Sequence, residues 1–216
     1  MGFEYAECDI SFTSDGVAVL LHDGTVDRTS NGTGEIGSLT LEDVKAMDFG
    51  SWMSSDYAGE QIPTFEEFII LCKQIGIHPY IEIKGGLTNE QATSLIGIVK
   101  RYGMHGKVTW ISFYPTALTA IKTVDSTARL GFVTENTSAD NITIANNLKT
   151  GDNEVFIDIG YYALTDDFLN LCVENDIPLE AWTINEKTTL ITLDPYVSGY
   201  TSDSLRANVV FYNALT

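Results

Sequence analysis

The sequence predicts an α/β domain whose core is a parallel sheet with helical crossovers. Three observations carry that expectation. Short β-branched apolar runs alternate with segments of helical period along most of the 216 residues. That spacing between strands leaves room for a helix each time, which is what a parallel connection needs. No Gly-rich phosphate loop follows the first strand, which weakens the nucleotide-binding version of such a sheet. On pattern alone, a doubly wound open sheet and a closed barrel both remain open.

Residues 4–12 read as a strand with alternating faces, and 17–21 as a second short extended run reached through the Ser14-Asp15-Gly16 turn. The stretch 23–63 is rich in Gly, Ser, Thr and Asp and carries one short helix beginning near Thr40-Leu41-Glu42-Asp43. Thr64-Phe65-Glu66-Glu67 opens a helix to about Gln74, with Thr as N-cap and carboxylates in the first turn. Regular units follow. Strands are expected at 79–84, 108–113, 129–133, 155–159, 179–183 and 197–201, with helices near 89–102, 115–123, 139–148, 166–175 and 187–193. Seven parallel-type strands result, leaving 17–21 aside. The tail around 208–215 reads equally as helix or strand, and no linker marks a second domain.

The length suits one large domain and is short for two. The net charge of −18 and a pI near 4.2 argue against nonspecific binding of nucleic acid or an anionic membrane surface. No run of eighteen apolar residues predicts a membrane span, and the start lacks the basic and apolar regions of a secretory signal. The compartment stays undecided, with the cytoplasm slightly favoured. Cys8, Cys72 and Cys172 show no CxxC spacing, and Cys72 and Cys172 read as buried small hydrophobes within helices.

Glu7 and Asp9 lie two apart on a strand, so both carboxylates point to one side, while Ala6, Cys8 and Ile10 are apolar. In a parallel barrel both faces are buried, and paired buried carboxylates need a cation or strong hydrogen bonds. Oxygen ligands suit Mg²⁺ or Ca²⁺ better than zinc. Glu82 and Lys84 repeat the geometry between isoleucines on the next core strand; an internal salt bridge is the default, a third metal ligand and a phosphate donor the functional alternative. His22 follows an apolar strand at the start of a polar loop, where proton transfer near neutral pH is accessible, although a lone His is more often structural. His78 and His105 read as loop or surface residues.

Together these residues resemble a family in order and spacing. Glu7-Cys8-Asp9, Ser14-Asp15-Gly16, Leu21-His22-Asp23 and Asp27-Arg28-Thr29-Ser30-Asn31-Gly32-Thr33-Gly34 are similar to the glycerophosphodiester phosphodiesterases. Ile62-Pro63-Thr64-Phe65-Glu66-Glu67, Ile81-Glu82-Ile83-Lys84, Ala181-Trp182-Thr183-Ile184-Asn185 and Gly199-Tyr200-Thr201-Ser202-Asp203 continue the likeness, which is strongest in the first 84 residues. The resemblance implies a TIM-type (β/α)8 barrel as a single domain over 1–216, with a small inserted subdomain at about 23–63. It implies one divalent cation on Glu7, Asp9 and Glu82, His22 as one of two histidines acting as general acid and base, Lys84 on the phosphate, and Trp182 flanking the glycerol or alcohol. The expected reaction is metal-dependent hydrolysis of a small phosphodiester to an alcohol and glycerol 3-phosphate.

The family begins with a strand carrying His-Arg-Gly and a helix entered through Glu-Asn-Thr, and neither is present in this sequence. The expectation is therefore a barrel lacking its first βα unit, with seven core strands and two exposed strand edges. A homo-oligomer covering that seam is one way to bury it. The alternatives to an active enzyme are a catalytically impaired metal- and phosphodiester-binding barrel, or a fragment of a longer enzyme. A barrel phosphodiesterase acting on phospholipids such as sphingomyelin is a third reading, disfavoured by the long insertion.

Overall fold

The computed structural model describes residues 4–204. Eight strands form one sheet in the order β2-β1-β3-β4-β5-β6-β7-β8. β1 (Tyr5–Phe12) turns back through Gly16, at φ +82°, into the antiparallel β2 (Ala18–Leu20). Every other pairing is parallel, through β3 (His78–Ile83), β4 (Thr109–Ser112), β5 (Arg129–Thr134), β6 (Val155–Gly160), β7 (Leu179–Trp182) and β8 (Gly199–Tyr200). The crossovers are the helices α2 (Phe65–Ile75), α3 (Asn89–Arg101), α4 (Pro115–Val124), α5 (Asp140–Leu148), α6 (Asp166–Glu174) and α7 (Lys187–Leu193), while α1 (Leu41–Lys45) lies between β2 and α2.

The period of two sorts the strands into an outer face and an interior. On β3, Ile81 and Ile83 face the helices while Tyr80 and Glu82 face inward; on β6, Val155, Ile157 and Ile159 face out while Phe156 and Asp158 face in. The outward isoleucines pack with Phe65, Ile69, Leu95, Leu118, Ile121 and Phe168 from the helices into the main core. Burying each such side chain is worth about 1.5–3 kcal/mol. The interior is filled by Tyr80, Ile111, Val133 and Phe156, with Trp182 against them. Gly131 is required here, because a Cβ at that position would collide with the Phe156 ring.

Local signals explain the helix starts. Thr64 and Thr88 each close a capping box, Pro115 occupies the first turn of α4, and Gly76 ends α2 in the left-handed region at φ +73°. Residues 23–63 fold over a small core of their own, Val26, Ile36, Val44 and Ile62 packed under Val19 and Leu21. Two 3₁₀ turns (Ile36–Ser38 and Ser55–Tyr57) accompany α1 there, where one short helix was expected. Their three-residue length gives no amphipathic period to detect.

Among the described residues β1 and β8 are not paired. β2 covers only Ile10, Ser11 and Phe12 of the outer edge of β1, and a cavity of about 890 Å³ lies between the two strands, bordered by Tyr5, Glu7, Tyr80, Glu180 and Gly199. β8 is shorter than the expected 197–201, with Gly199 and Tyr200 alone on β7. His78, expected in a loop or on the surface, is half-buried at the start of β3 and meets the Tyr5 ring edge-to-face at 5.2 Å. Cys72 and Cys172 are buried as expected. The ambiguous tail at 208–215 lies outside the described residues. No described helix is long and apolar enough to cross a membrane.

Candidate active site at the strand ends

All six residues singled out in the sequence border one pocket of about 500 Å³ at the carboxyl ends of the strands. Glu7 and Asp9 come from β1, Glu82 from the end of β3, Lys84 from just beyond it, His22 from the loop after β2, and Trp182 from the end of β7. The register explains the meeting of the acids: Asp9 sits directly beside Glu82 across the β1–β3 ladder, and Glu7 lies one inward step below Asp9. One carboxylate oxygen from each of Glu7, Asp9 and Glu82 lies within 4.8 Å of the others.

Lys84 bridges the cluster, its Nζ 2.9 Å from Glu82 Oε1 and 3.2 Å from Asp9 Oδ1. Burial alone would lower the ammonium's pKa, but the hydrogen bond and charge of Glu82, helped by Asp9, hold it above its ordinary value. The balance of charge is still negative, three carboxylates against one ammonium. Withdrawal from bulk water, then repulsion from Asp9 and Glu82, pushes the Glu7 carboxyl up to about 8. Glu82 is raised too, first by burial.

Glu7 differs from expectation in its exposure. A closed barrel would bury both acids of β1, whereas here Asp9 is half-buried and Glu7 opens onto the gap beside β8. The free edge of β1 is the reason.

His22 is oriented by a contact that the sequence reading did not single out. Its Nδ1 lies 2.7 Å from Asp23 Oδ1, and Asp23 is itself gripped by Arg28 through Nε at 2.6 Å and Nη2 at 3.0 Å. The Arg28 hydrogen bonds, then the one from His22, hold the Asp23 carboxyl well below the usual range, so it stays an acceptor. An ionised Asp23 accepts from Nδ1–H, which leaves Nε2 as the ring nitrogen not engaged by Asp23. The adjacency His22-Asp23 and the Asp-Arg-Thr run were the available signal. Phe113, also missed, stands edge-to-face with Trp182 at 5.8 Å and shares the pocket wall. The Trp182 indole N–H donates to the Asp158 main-chain carbonyl at 3.2 Å, which fixes the ring against β6.

Comparison with known proteins identifies the family. The model of the glycerophosphoryl diester phosphodiesterase family matches residues 1–209. The chain belongs to that family, a family of phosphoric diester hydrolases. A glycerophosphodiester phosphodiesterase of Caldanaerobacter subterraneus subsp. tengcongensis is 29% identical over 189 residues, 87% of this chain and 76% of that relative. Human glycerophosphodiester phosphodiesterase 1 is 40% identical over 81 residues, which span 37% of this chain and 24% of the human protein. The fold matches that of an Oleispira antarctica phosphodiesterase, solved in complex with the product sn-glycerol-3-phosphate. Its TM-score is 0.84 and its identity 21%, over all of this chain and 86% of that one. The fold is therefore that of the family's TIM-type barrels, here a curled, mostly parallel sheet in which β1 and β8 are unpaired among the described residues.

Proposed function

We propose that this chain hydrolyses glycerophosphodiesters to an alcohol and glycerol 3-phosphate, with a divalent cation held by Glu7, Asp9 and Glu82. The observation that carries the reading is the convergence of three carboxylates, an ammonium and an oriented imidazole on one pocket at the strand ends, where barrel enzymes work. The donor set fits a hard cation: all-oxygen, crowded, and with Glu7 forced toward its protonated form when no positive ion is near. Mg²⁺ or Ca²⁺ is the class of ion this chemistry selects.

A bound cation supplies charge compensation for the phosphodiester. The chain's own groups do the remaining work. Lys84 stays protonated beside its two carboxylates and reaches a phosphate oxygen from the same cluster. His22, with Nδ1 committed to Asp23, accepts or delivers a proton at Nε2, and Arg28 keeps Asp23 in place for that task. Phe113 and Trp182 form an apolar wall for the glycerol or alcohol part and keep water from that side.

The test is release of choline or glycerol phosphate from glycerophosphocholine by this chain in Mg²⁺, in Ca²⁺ and in EDTA, against His22→Ala. Metal-dependent release that falls by at least about two orders of magnitude in His22→Ala supports the assignment. Equal release from both proteins would refute the role of His22. A chain that binds the diester without releasing product would be an impaired barrel of the same fold.

A further inference from the structure

The rim of the pocket built by β4 to β7 carries aromatic rings that stand in water rather than in the core. Phe113 follows β4 and is 37% exposed; Tyr162, in the 3₁₀ turn Tyr161–Ala163 after β6, is 61% exposed. Both meet the Trp182 ring with planes nearly perpendicular to it, Phe113 at 5.8 Å and 81°, Tyr162 at 6.3 Å and 85°. Adjoining exposed rings at the mouth of a pocket mark a surface that a bound group covers.

The seat of Tyr162 is built into the backbone. A Cβ on Gly160 would come within 2.9 Å of the Tyr162 ring, so the glycine is what lets that ring fold back onto the end of β6. The Tyr162 hydroxyl donates to Glu135 Oε1 at 2.8 Å, and Glu135, just beyond β5, borders the pocket together with Phe113 and Trp182.

The chemistry of this wall narrows what it can hold. The Trp182 indole N–H is engaged by the Asp158 carbonyl and the Tyr162 O–H by Glu135, so the wall offers ring faces and no free donor from either group. A neutral polyol gains little from such faces. A cation gains more, because the face is the negative end of the aromatic quadrupole. Lys84 is the one lysine in the lining and is paired with Glu82 and Asp9, while Glu135 and Asp203 add carboxyl groups to the rim. A quaternary ammonium suits this setting best: it has no N–H to satisfy, and its methyl groups bury apolar surface against the rings.

We propose that Phe113, Trp182 and Tyr162, together with Glu135, form a subsite for a quaternary ammonium on the alcohol part of the diester. This rests on the hydrolase reading above and deepens it by naming the class of alcohol released. Tyr162 is the specificity-determining residue, since its ring face distinguishes a cationic alcohol from a neutral one of the same shape.

The test compares glycerophosphocholine with its neutral isostere, the 3,3-dimethylbutyl ester, in which carbon replaces the ammonium nitrogen. kcat/KM is measured for both esters in Mg²⁺ with the full chain as wild type, Tyr162→Leu and Tyr162→Phe; Tyr162 is exposed, and circular dichroism checks the fold of each variant. The intrinsic reactivity of each alcohol is common to the three proteins, so it cancels when their choline-to-isostere ratios are compared. Tyr162→Leu should lower that ratio about fivefold, the scale of one cation–π contact. Tyr162→Phe keeps the ring and should hold the ratio within about twofold of wild type. A ratio unchanged in Tyr162→Leu, whatever the absolute rates, or lowered as much in Tyr162→Phe, overturns the subsite and leaves the hydrolase reading intact. If the chain binds the esters without turnover, the same ratio is read from Kd values in calorimetry. A chain that neither binds nor hydrolyses either ester refutes the hydrolase reading, and this inference with it.

Discussion

The interior carboxyl of Asp158 makes stability fall with rising pH, and Asp158→Asn should abolish much of that fall. In the folded chain the group holds its proton until about pH 8, whereas unfolded it ionises near 3.8. Between those values the native state binds more protons than the unfolded state, so unfolding free energy decreases as pH rises. The full separation sets a ceiling of about 6 kcal/mol, at about 1.4 kcal/mol per pH unit. The Arg129 charge and water entering through the gap beside β1 ease the ionised form, and we take half, about 3 kcal/mol, as the expected effect. Asparagine keeps the shape and the contact with the Tyr80 hydroxyl, which stands 3.1 Å from Asp158 Oδ2, without a titrating proton. Urea denaturation in EDTA at about pH 4 and about pH 8 measures it. The other titrating groups are shared, so they cancel in the difference between the two proteins. Asp158→Asn should match wild type at the acid end and exceed it by about 3 kcal/mol at the alkaline end. A difference that stays constant over that range would show that Asp158 is ionised in the fold.

The cation site makes a second prediction: Glu7→Gln and Asp9→Asn should each weaken Mg²⁺ or Ca²⁺ binding in calorimetry, and equal affinities in all three proteins would make the cluster structural. At about a hundredfold excess over its Kd, the cation should stabilise wild type by about 2.7 kcal/mol and both variants by less, read as a shift in Tm. Asp23→Asn should leave the fold intact and lower kcat about tenfold or more by releasing the His22 tautomer, an effect a pH–rate profile would separate from mere loss of an exposed ion pair. A homo-oligomer covering the gap between β1 and β8 predicts a dimer in sedimentation at micromolar concentration; a monomer there refutes it.

The regular half of the fold was legible because its signals are local. Thr64 and Thr88 mark helix starts, and β-branched runs such as Val155–Gly160 mark strands buried on both faces. The helix at Lys187–Leu193 was read without error, whereas β8 came out shorter than its apolar run, since pairing depends on a neighbour and not on composition. The carboxylate cluster was legible because the strand period alone aligns Glu7 with Asp9 and Glu82 with Lys84. Their meeting across the ladder needed a register, and this the sequence does not carry. Asp158 was invisible for the opposite reason. Flanked by isoleucines in a buried strand, it has no partner in sequence; Tyr80 and Glu180, which stand beside it, lie 78 and 22 residues away.

The groups of the proposed site lie in the first 84 residues, the stretch whose motifs carry most of the resemblance read from the sequence. Both acids of β1, the third on β3, Lys84 just after it and the His22-Asp23-Arg28 chain all come from that stretch; in the proposed reaction they would place a cation and a proton carrier around one phosphate. The later units face them across the pocket with the apolar wall of Phe113 and Trp182. The gap falls next to the strict half, against Glu7. Any strand or partner surface that closes it removes water from Glu7 and strengthens every charge interaction in the cluster. Closure without a cation would raise the Glu7 carboxyl further, while closure with one would tighten the site, so filling the gap and loading the metal favour each other.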